Sequence, residues 1–164
     1  MAPTDDLLAV SADWPVQQVE AGEVLMAQGD STRRLAVLLE GALEVRHGDE
    51  VVATIDTPGA CVGEISLLLD QTHHSTVTAV VPTRVRVLAD ADRVLPSDPA
   101  LLVPVASVLA GRLRLVSTYL ADLKEQYGES HPGLDMVGDV LGSLTRHCGT
   151  PFEPGSDRQP DVPY

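Results

Sequence analysis

Between Val16 and Val87 apolar residues recur at alternate positions, whereas on either side they recur every third or fourth. Leu43 and Val45 alternate with Glu44 and Arg46, and Val51, Ala53 and Ile55 share a face. Val77, Ala79 and Val81 alternate with Thr76, Thr78 and Val80, and Val85 and Val87 with Arg84 and Arg86. Successive strand residues point to opposite faces, so the alternation predicts half-buried strands with one face in a core. Turn residues separate them: Ala21-Gly22-Glu23, Gln28-Gly29-Asp30, Glu40-Gly41, His47-Gly48-Asp49 and Thr57-Pro58-Gly59. Short strands at this spacing predict a mainly β chain with flanking helices, built as a closed or double-sheet architecture such as a β jelly roll (a double-stranded β-helix).

The flanks read as helix. Thr4 and Asp5 start a short one through Leu7, Leu8 and Val10, and Trp14-Pro15 breaks it. After Ala89, Asp98 is placed to cap a long helix with Pro99 at its first position, and Pro104 is expected to kink its first turns or move its start to Val103. Leu102, Val105, Leu109, Val116, Tyr119 and Leu123 follow a three-four spacing, and Leu101, Val108, Leu113, Leu115 and Leu120 widen the apolar surface beyond one stripe. A helix apolar on two faces needs two partners. One is its own β domain; the other is expected to be the same helix in a second subunit, with Val105, Leu109, Arg112, Val116, Tyr119 and Leu123 at the homodimer interface. Leu134, Val137, Val140, Leu141 and Leu144 outline a further short helix, and the Pro, Asp, Gly and Ser of the last residues predict a disordered tail. The chain thus divides into a helical segment 1–15, a β core 16–89, a hinge and long helix 90–127, a short helix 128–149 and a tail 150–164.

Composition narrows the function. The net charge is −13, and Lys124 is the single lysine among 11 basic residues, so the surface repels phosphate backbones and anionic bilayers. Neither direct nucleic-acid binding nor membrane association is expected. No apolar stretch approaches the ~20 residues that span a bilayer, and residues 1–6 lack a basic, apolar leader. Two cysteines, Cys61 and Cys148, make no disulfide framework. These features predict a cytoplasmic protein. There is no Gly-x-Ser-x-Gly, no phosphate-loop lysine and no carboxylate pair whose placement the sequence justifies, so no enzyme activity and no required cofactor are expected.

The stretch from Cys61 to Val77 carries the candidate chemistry. It opens on Gly63-Glu64, crowds Leu67, Leu68 and Leu69 into a short turn expected to tuck them inward, and ends in His73-His74-Ser75-Thr76. Backbone N–H groups at a helix start form a ready anion site. The structural alternative for Glu64 is a carboxylate serving only its helix N-terminus, and for the histidines a solvated loop pair. Cys61 with the two histidines matches no zinc spacing.

Together with Gly22-Glu23-Val24-Leu25, Gly29-Asp30, the strand from Leu35 to Leu39 ending at Glu40-Gly41, and Pro58-Gly59, the run Gly63-Glu64-Ile65-Ser66-Leu67-Leu68 resembles the cyclic nucleotide-binding domains of the catabolite-activator and protein kinase A regulatory-subunit type, over roughly residues 4–126. The resemblance implies a jelly roll with a phosphate-binding cassette between two strands, then a hinge helix and a long C-terminal helix. It makes Glu64 the acceptor of a ribose hydroxyl, lets Ile65 and Ser66 offer N–H groups to the cyclic phosphate, and sets Ser75 and Thr76 beside it. The family's phosphate-clamping arginine is absent. Nine residues after Glu64 stands His73 and ten after stands His74, with Val77-Thr78-Ala79 favouring His73 as the aligned position.

Arginine grips a phosphate with a planar, permanently charged fork, whereas an unperturbed histidine is only about a quarter protonated at pH 7. Losing that contact removes on the order of 2–3 kcal/mol, roughly a hundredfold in affinity. The implied function is a regulatory or sensory domain that takes cAMP, cGMP or a related phosphate weakly and signals through its C-terminal helix. The alternative is a ligand-independent dimeric adaptor for an unidentified protein partner. The residues after Tyr127 are too few and too poor in basic side chains for a DNA-binding domain.

Overall fold

The structure, a computed structural model, describes residues 2–127. Its elements run in the order α1 (Pro3–Val10), β1 (Val16–Val19), β2 (Val24–Met26), β3 (Leu35–Glu40), β4 (Leu43–His47), β5 (Glu50–Ile55), β6 (Cys61–Val62), α2 (Glu64–Leu69), β7 (Thr76–Ala79), β8 (Thr83–Leu88), α3 (Ala91–Val94) and α4 (Pro99–Tyr127). The expected helix 128–149, the tail 150–164 and Cys148 lie outside the described residues. The chain divides into two units, Met1–Arg112 and Leu113–Tyr164, and the division falls within α4 rather than before it.

In the first unit the strands form two antiparallel four-stranded sheets, ordered β1-β8-β3-β6 and β2-β7-β4-β5, as in a jelly roll. Strand β3 shows why the fold has two cores. Its Leu35, Ala36, Val37 and Leu38 are all buried, and alternation sends them two ways. Ala36 and Leu38 join Val19, Leu25, Met26, Leu43, Val62, Val77, Ala79 and Val85 between the sheets. Leu35 and Val37 instead meet Leu7, Cys61, Ala91, Leu95, Leu101 and Val105, so α1, α3 and the first turns of α4 pack on the outer face of one sheet. Arg86 fastens α1 by donating from Nη1 to the Leu8 carbonyl at 3.0 Å.

Helix α4 starts at Pro99 as expected, with the Asp98 carboxylate capping the Ala100 N–H at 3.0 Å, and it runs through Pro104 rather than starting at Val103. Three expectations are corrected. Val51 is exposed, because a bulge slips the β4–β5 register between Val45↔Ala53 and Arg46↔Val51 and breaks the alternation, and Ala53, still paired with Val45, is exposed on the edge strand. Of the crowded leucines only Leu67 packs against the helical core, while Leu68 and Leu69 are exposed. Finally, Val105 is fully buried in the unit's own core, so no second subunit can reach it.

An apolar stretch of spanning length does exist, contrary to the sequence reading: the helix from Pro99 to Gln126 contains an 18-residue window of mean hydropathy 1.6. Its first turns belong to the folded core through Leu101 and Val105. The first unit ends at Arg112, and the described helix beyond it, 113–127, is about 22 Å long against a hydrocarbon layer of about 30 Å.

Within the second unit the described residues continue α4 to Tyr127, where Val116 and Tyr119 are exposed.

Candidate ligand-binding site

Gly63 sets the site's geometry. It sits at φ +93° before the first turn of α2, and a Cβ there would collide with the Arg34 carbonyl and the Met26 side chain. Glycine alone avoids both problems, and the turn delivers Glu64 inward. At six residues, α2 is too short to bring much of a helix dipole to its start.

Glu64 is 2% exposed, and its partner is Arg112 of α4, still within the first unit. The guanidinium donates from Nη1 to Glu64 Oε1 at 2.5 Å and from Nη2 to the Cys61 carbonyl at 2.8 Å. Burial pushes the Glu64 carboxyl above the usual range, and the adjacent Arg112 charge opposes that rise. Burial likewise pushes the Cys61 thiol up to about 12, which makes it an inert core group rather than a thiolate ligand. Arg112, expected at the dimer interface, thus lines the site's cavity and is bonded to Glu64 and the Cys61 carbonyl.

His73 is 5% exposed, which corrects the solvated-loop alternative. Its backbone is tied to the β2–β3 loop: the His73 N–H donates to the Asp30 carbonyl at 2.8 Å and the Gly29 N–H to the His73 carbonyl at 2.7 Å. Both ring nitrogens are also engaged, Nε2 with Thr32 Oγ1 at 2.7 Å and Nδ1 with Ser66 Oγ at 3.0 Å. The Ser66 hydroxyl donates its proton to the Gly63 carbonyl at 2.9 Å. It can therefore only accept from the ring, so His73 carries a proton on Nδ1, and in the neutral tautomer Nε2 accepts from Thr32. Burial lowers the imidazole pKa, with a smaller opposing pull from Asp30. His73 lines the cavity as expected, but both of its ring nitrogens already have protein partners.

A cavity of about 90 Å³ lies over these groups. It is lined by Gly63, Glu64, Ile65, Ser66, His73, His74 and Ser75, with Arg112 and the apolar wall of Met26, Val45, Ile55, Val62 and Val77. Thr76 is the one expected ligand residue that does not line it. Strand alternation turns Thr76 away from Ser75 and Val77, and its hydroxyl accepts from the Gln28 N–H at 3.1 Å. His74 is exposed at the rim, and its carbonyl is bonded to His47 Nδ1 at 2.6 Å. The Ser75 hydroxyl is buried without a partner among the described residues. Sequence reasoning missed the apolar wall as a binding surface, although the alternation had marked Val45, Ile55 and Val77 as inward-facing.

Comparison with known proteins defines the class. The model of the cyclic nucleotide-binding domain matches residues 16–92, and the chain carries a domain of that family. Among solved structures, the catabolite activator protein of Thermus thermophilus superposes with a TM-score of 0.57 at 19% identity, covering 88% of this chain and 87% of that one. The N-terminal domain of a transcriptional regulator from Streptomyces coelicolor A3(2) gives a TM-score of 0.51 at 23% identity, over 72% of this chain and 92% of that one. A second cyclic-nucleotide domain of PKAR, bound to Sp-2Cl-cAMPS, gives 0.53 at 19% identity, over 73% and 88%. At these identities the likeness is one of fold. A curated relative, an acetyltransferase named Pat from Mycolicibacterium smegmatis, is 36% identical over 69 residues, covering 40% of this chain. The match spans only a fifth of that relative's length.

Proposed function

We propose that this chain is a non-enzymatic regulatory domain that takes a cyclic nucleotide or a related hydroxylated phosphate, with reduced affinity, in the cavity beside Glu64. The observation that carries the reading is the buried Glu64 carboxylate at the cavity, joined directly to Arg112 of the C-terminal helix. A ligand hydroxyl donating to Glu64 adds to a group already holding that helix, which supports a signal passed along α4. The partial match to an acetyltransferase supports a module of the kind that larger proteins carry; no acetyl transfer is proposed for this chain. The exposed Val116 and Tyr119, with Leu123, are proposed to pair in a homodimer. Calorimetry with cAMP and cGMP at about 100 µM protein tests the ligand, since that range captures micromolar sites. Heat from either supports it, and no heat from both removes cyclic nucleotides as ligands.

A second reading, a ligand-independent dimeric adaptor in the cytoplasm, is favoured by one observation: His73, aligned with the missing arginine, is spent on Thr32 and Ser66. On that reading neither nucleotide binds, and the partner is a protein.

A further inference from the structure

The geometry points to Arg112 as the cation that meets the charge of a phosphate ester in this cavity, with Glu64 accepting a hydroxyl of the same ligand. The inference rests on the cavity being the ligand site, as proposed above, and it names the ligand's chemistry and a residue no cassette pattern assigns.

Three observations lead to it. Of the residues lining the cavity, Arg112 is the one arginine or lysine. An anion entering an apolar wall built of Met26, Val45, Ile55, Val62 and Val77 needs a fixed cation, because water no longer screens it. The histidine at the aligned position is not that cation, since its Nδ1 and Nε2 are bonded to Ser66 and Thr32.

Arg112 also has capacity to spare. A guanidinium has five N–H donors, and the bonds to Glu64 and the Cys61 carbonyl use two of them among the described residues. Those two bonds hold the fork in place, so an anion finds it already oriented and need not break the pair. The carboxylate has acceptor capacity left as well, since two oxygens offer about four lone-pair sites. A phosphate alone would face repulsion from Glu64; a phosphate bearing a nearby hydroxyl turns that neighbour into a hydrogen-bond acceptor. The unpartnered Ser75 hydroxyl, 7% exposed and lining the same cavity, supplies a donor for a phosphate oxygen.

The test is calorimetry on the full chain with cAMP, cGMP and ribose 5-phosphate, and adenosine as the uncharged control. Arg112→Gln is expected to weaken the binding of whichever phosphates bind by about tenfold or more, with Arg112→Lys falling between it and wild type. Arg114→Gln, an equal charge change on the same helix, should leave binding unchanged. Because Arg112→Gln strands a buried carboxylate, the comparison is repeated as Glu64→Gln against Glu64→Gln/Arg112→Gln, where the same further drop is expected. Binding of ribose 5-phosphate alone, lost with Arg112, sinks the cyclic-nucleotide reading and sustains this one. Cyclic-nucleotide binding within about twofold of the parent in both Arg112 variants overturns this one alone. Adenosine binding as tightly as cAMP also overturns it, and no binding of any phosphate overturns both.

Discussion

Removing the Arg112 guanidinium should destabilise the first unit in a way that depends on pH, because the group left behind can neutralise itself. Glu64 is 2% exposed, and Arg112 is its charged partner at 2.5 Å. Breaking a buried pair from one side costs about 3–5 kcal/mol when the remaining charge has no escape. A carboxylate has one: it takes up a proton. At pH 7 that costs about 3.7 kcal/mol, from 1.36 kcal/mol per unit over the interval above an ordinary glutamate pKa of about 4.3. The cap falls to about 1 kcal/mol at pH 5 by the same arithmetic. The Arg112 side chain is 37% exposed, so solvent screens part of the interaction and the expected loss at pH 7 is about 2–3 kcal/mol. The sign follows from the carboxyl pKa being raised in the folded state. The folded variant holds the proton more tightly than the unfolded chain, so its deficit grows as pH rises above about 4.3. Urea denaturation of wild type, Arg112→Gln and Glu64→Gln/Arg112→Gln at pH 5 and pH 7 reads this directly, with the double variant within about 1 kcal/mol of wild type at both. An equal loss for Arg112→Gln at pH 5 and pH 7 would refute the argument, since packing alone would then explain the deficit.

Restoring an arginine at position 73 should not restore a clamp: His73→Arg must put a larger charged side chain where 5% of the surface is exposed, and about 2 kcal/mol or more of stability should be lost. A His73→Arg variant as stable as wild type that also tightens cAMP binding would defeat that expectation. His73 itself, with its pKa lowered by burial, contributes stability that is present above pH 6.5 and lost as pH falls below it, so His73→Gln should flatten the decline in Tm between pH 7 and pH 5. A parallel decline in both proteins contradicts this. Gly63→Ala, at φ +93° and against the Arg34 carbonyl, should cost about 2–3 kcal/mol in denaturant titration; a loss under about 0.5 kcal/mol would mean the turn relaxes freely. Val105→Glu should unfold the first unit because that site is fully buried, whereas Val116→Glu should spare its stability and, on the proposed pairing, reduce the sedimentation mass to that of a monomer.

The strands were legible because most apolar positions in them obey one rule, alternation, which depends only on neighbours in sequence. The rule failed where a contact distant in sequence intervened. The β4–β5 bulge reversed Val51, and the packing of α4 on β3 drew Val105 into a core that its helical stripe had shared with an interface. In the site, Gly63 and Glu64 were readable from their order and the surrounding glycines. Arg112 was not, since 48 residues separate it from Glu64 and its position in the apolar stripe suggested a different job. His73 was expected to face a phosphate, and its ring is bonded to Thr32 and Ser66. Nothing in the string His73-His74 shows that Thr32 and Ser66 close on one ring and not on the other.

With the proposed cation at residue 112 rather than at residue 73, binding would act on a different element. A clamp within the cassette loop would act on a loop already tied to Gly29 and Asp30, and the helix would respond only through packing. Arg112 is instead the last residue of the first unit, and Leu113, the next residue of the same helix, begins the second. One guanidinium then answers to Glu64, to the Cys61 carbonyl and to a ligand anion at once. If an anion strengthens the hold on Arg112, then by linkage whatever holds that stretch of α4 in place strengthens the anion site by the same factor. A pairing partner for the residues after Arg112 would therefore alter ligand affinity without touching the cavity, and a ligand would alter pairing without touching the partner.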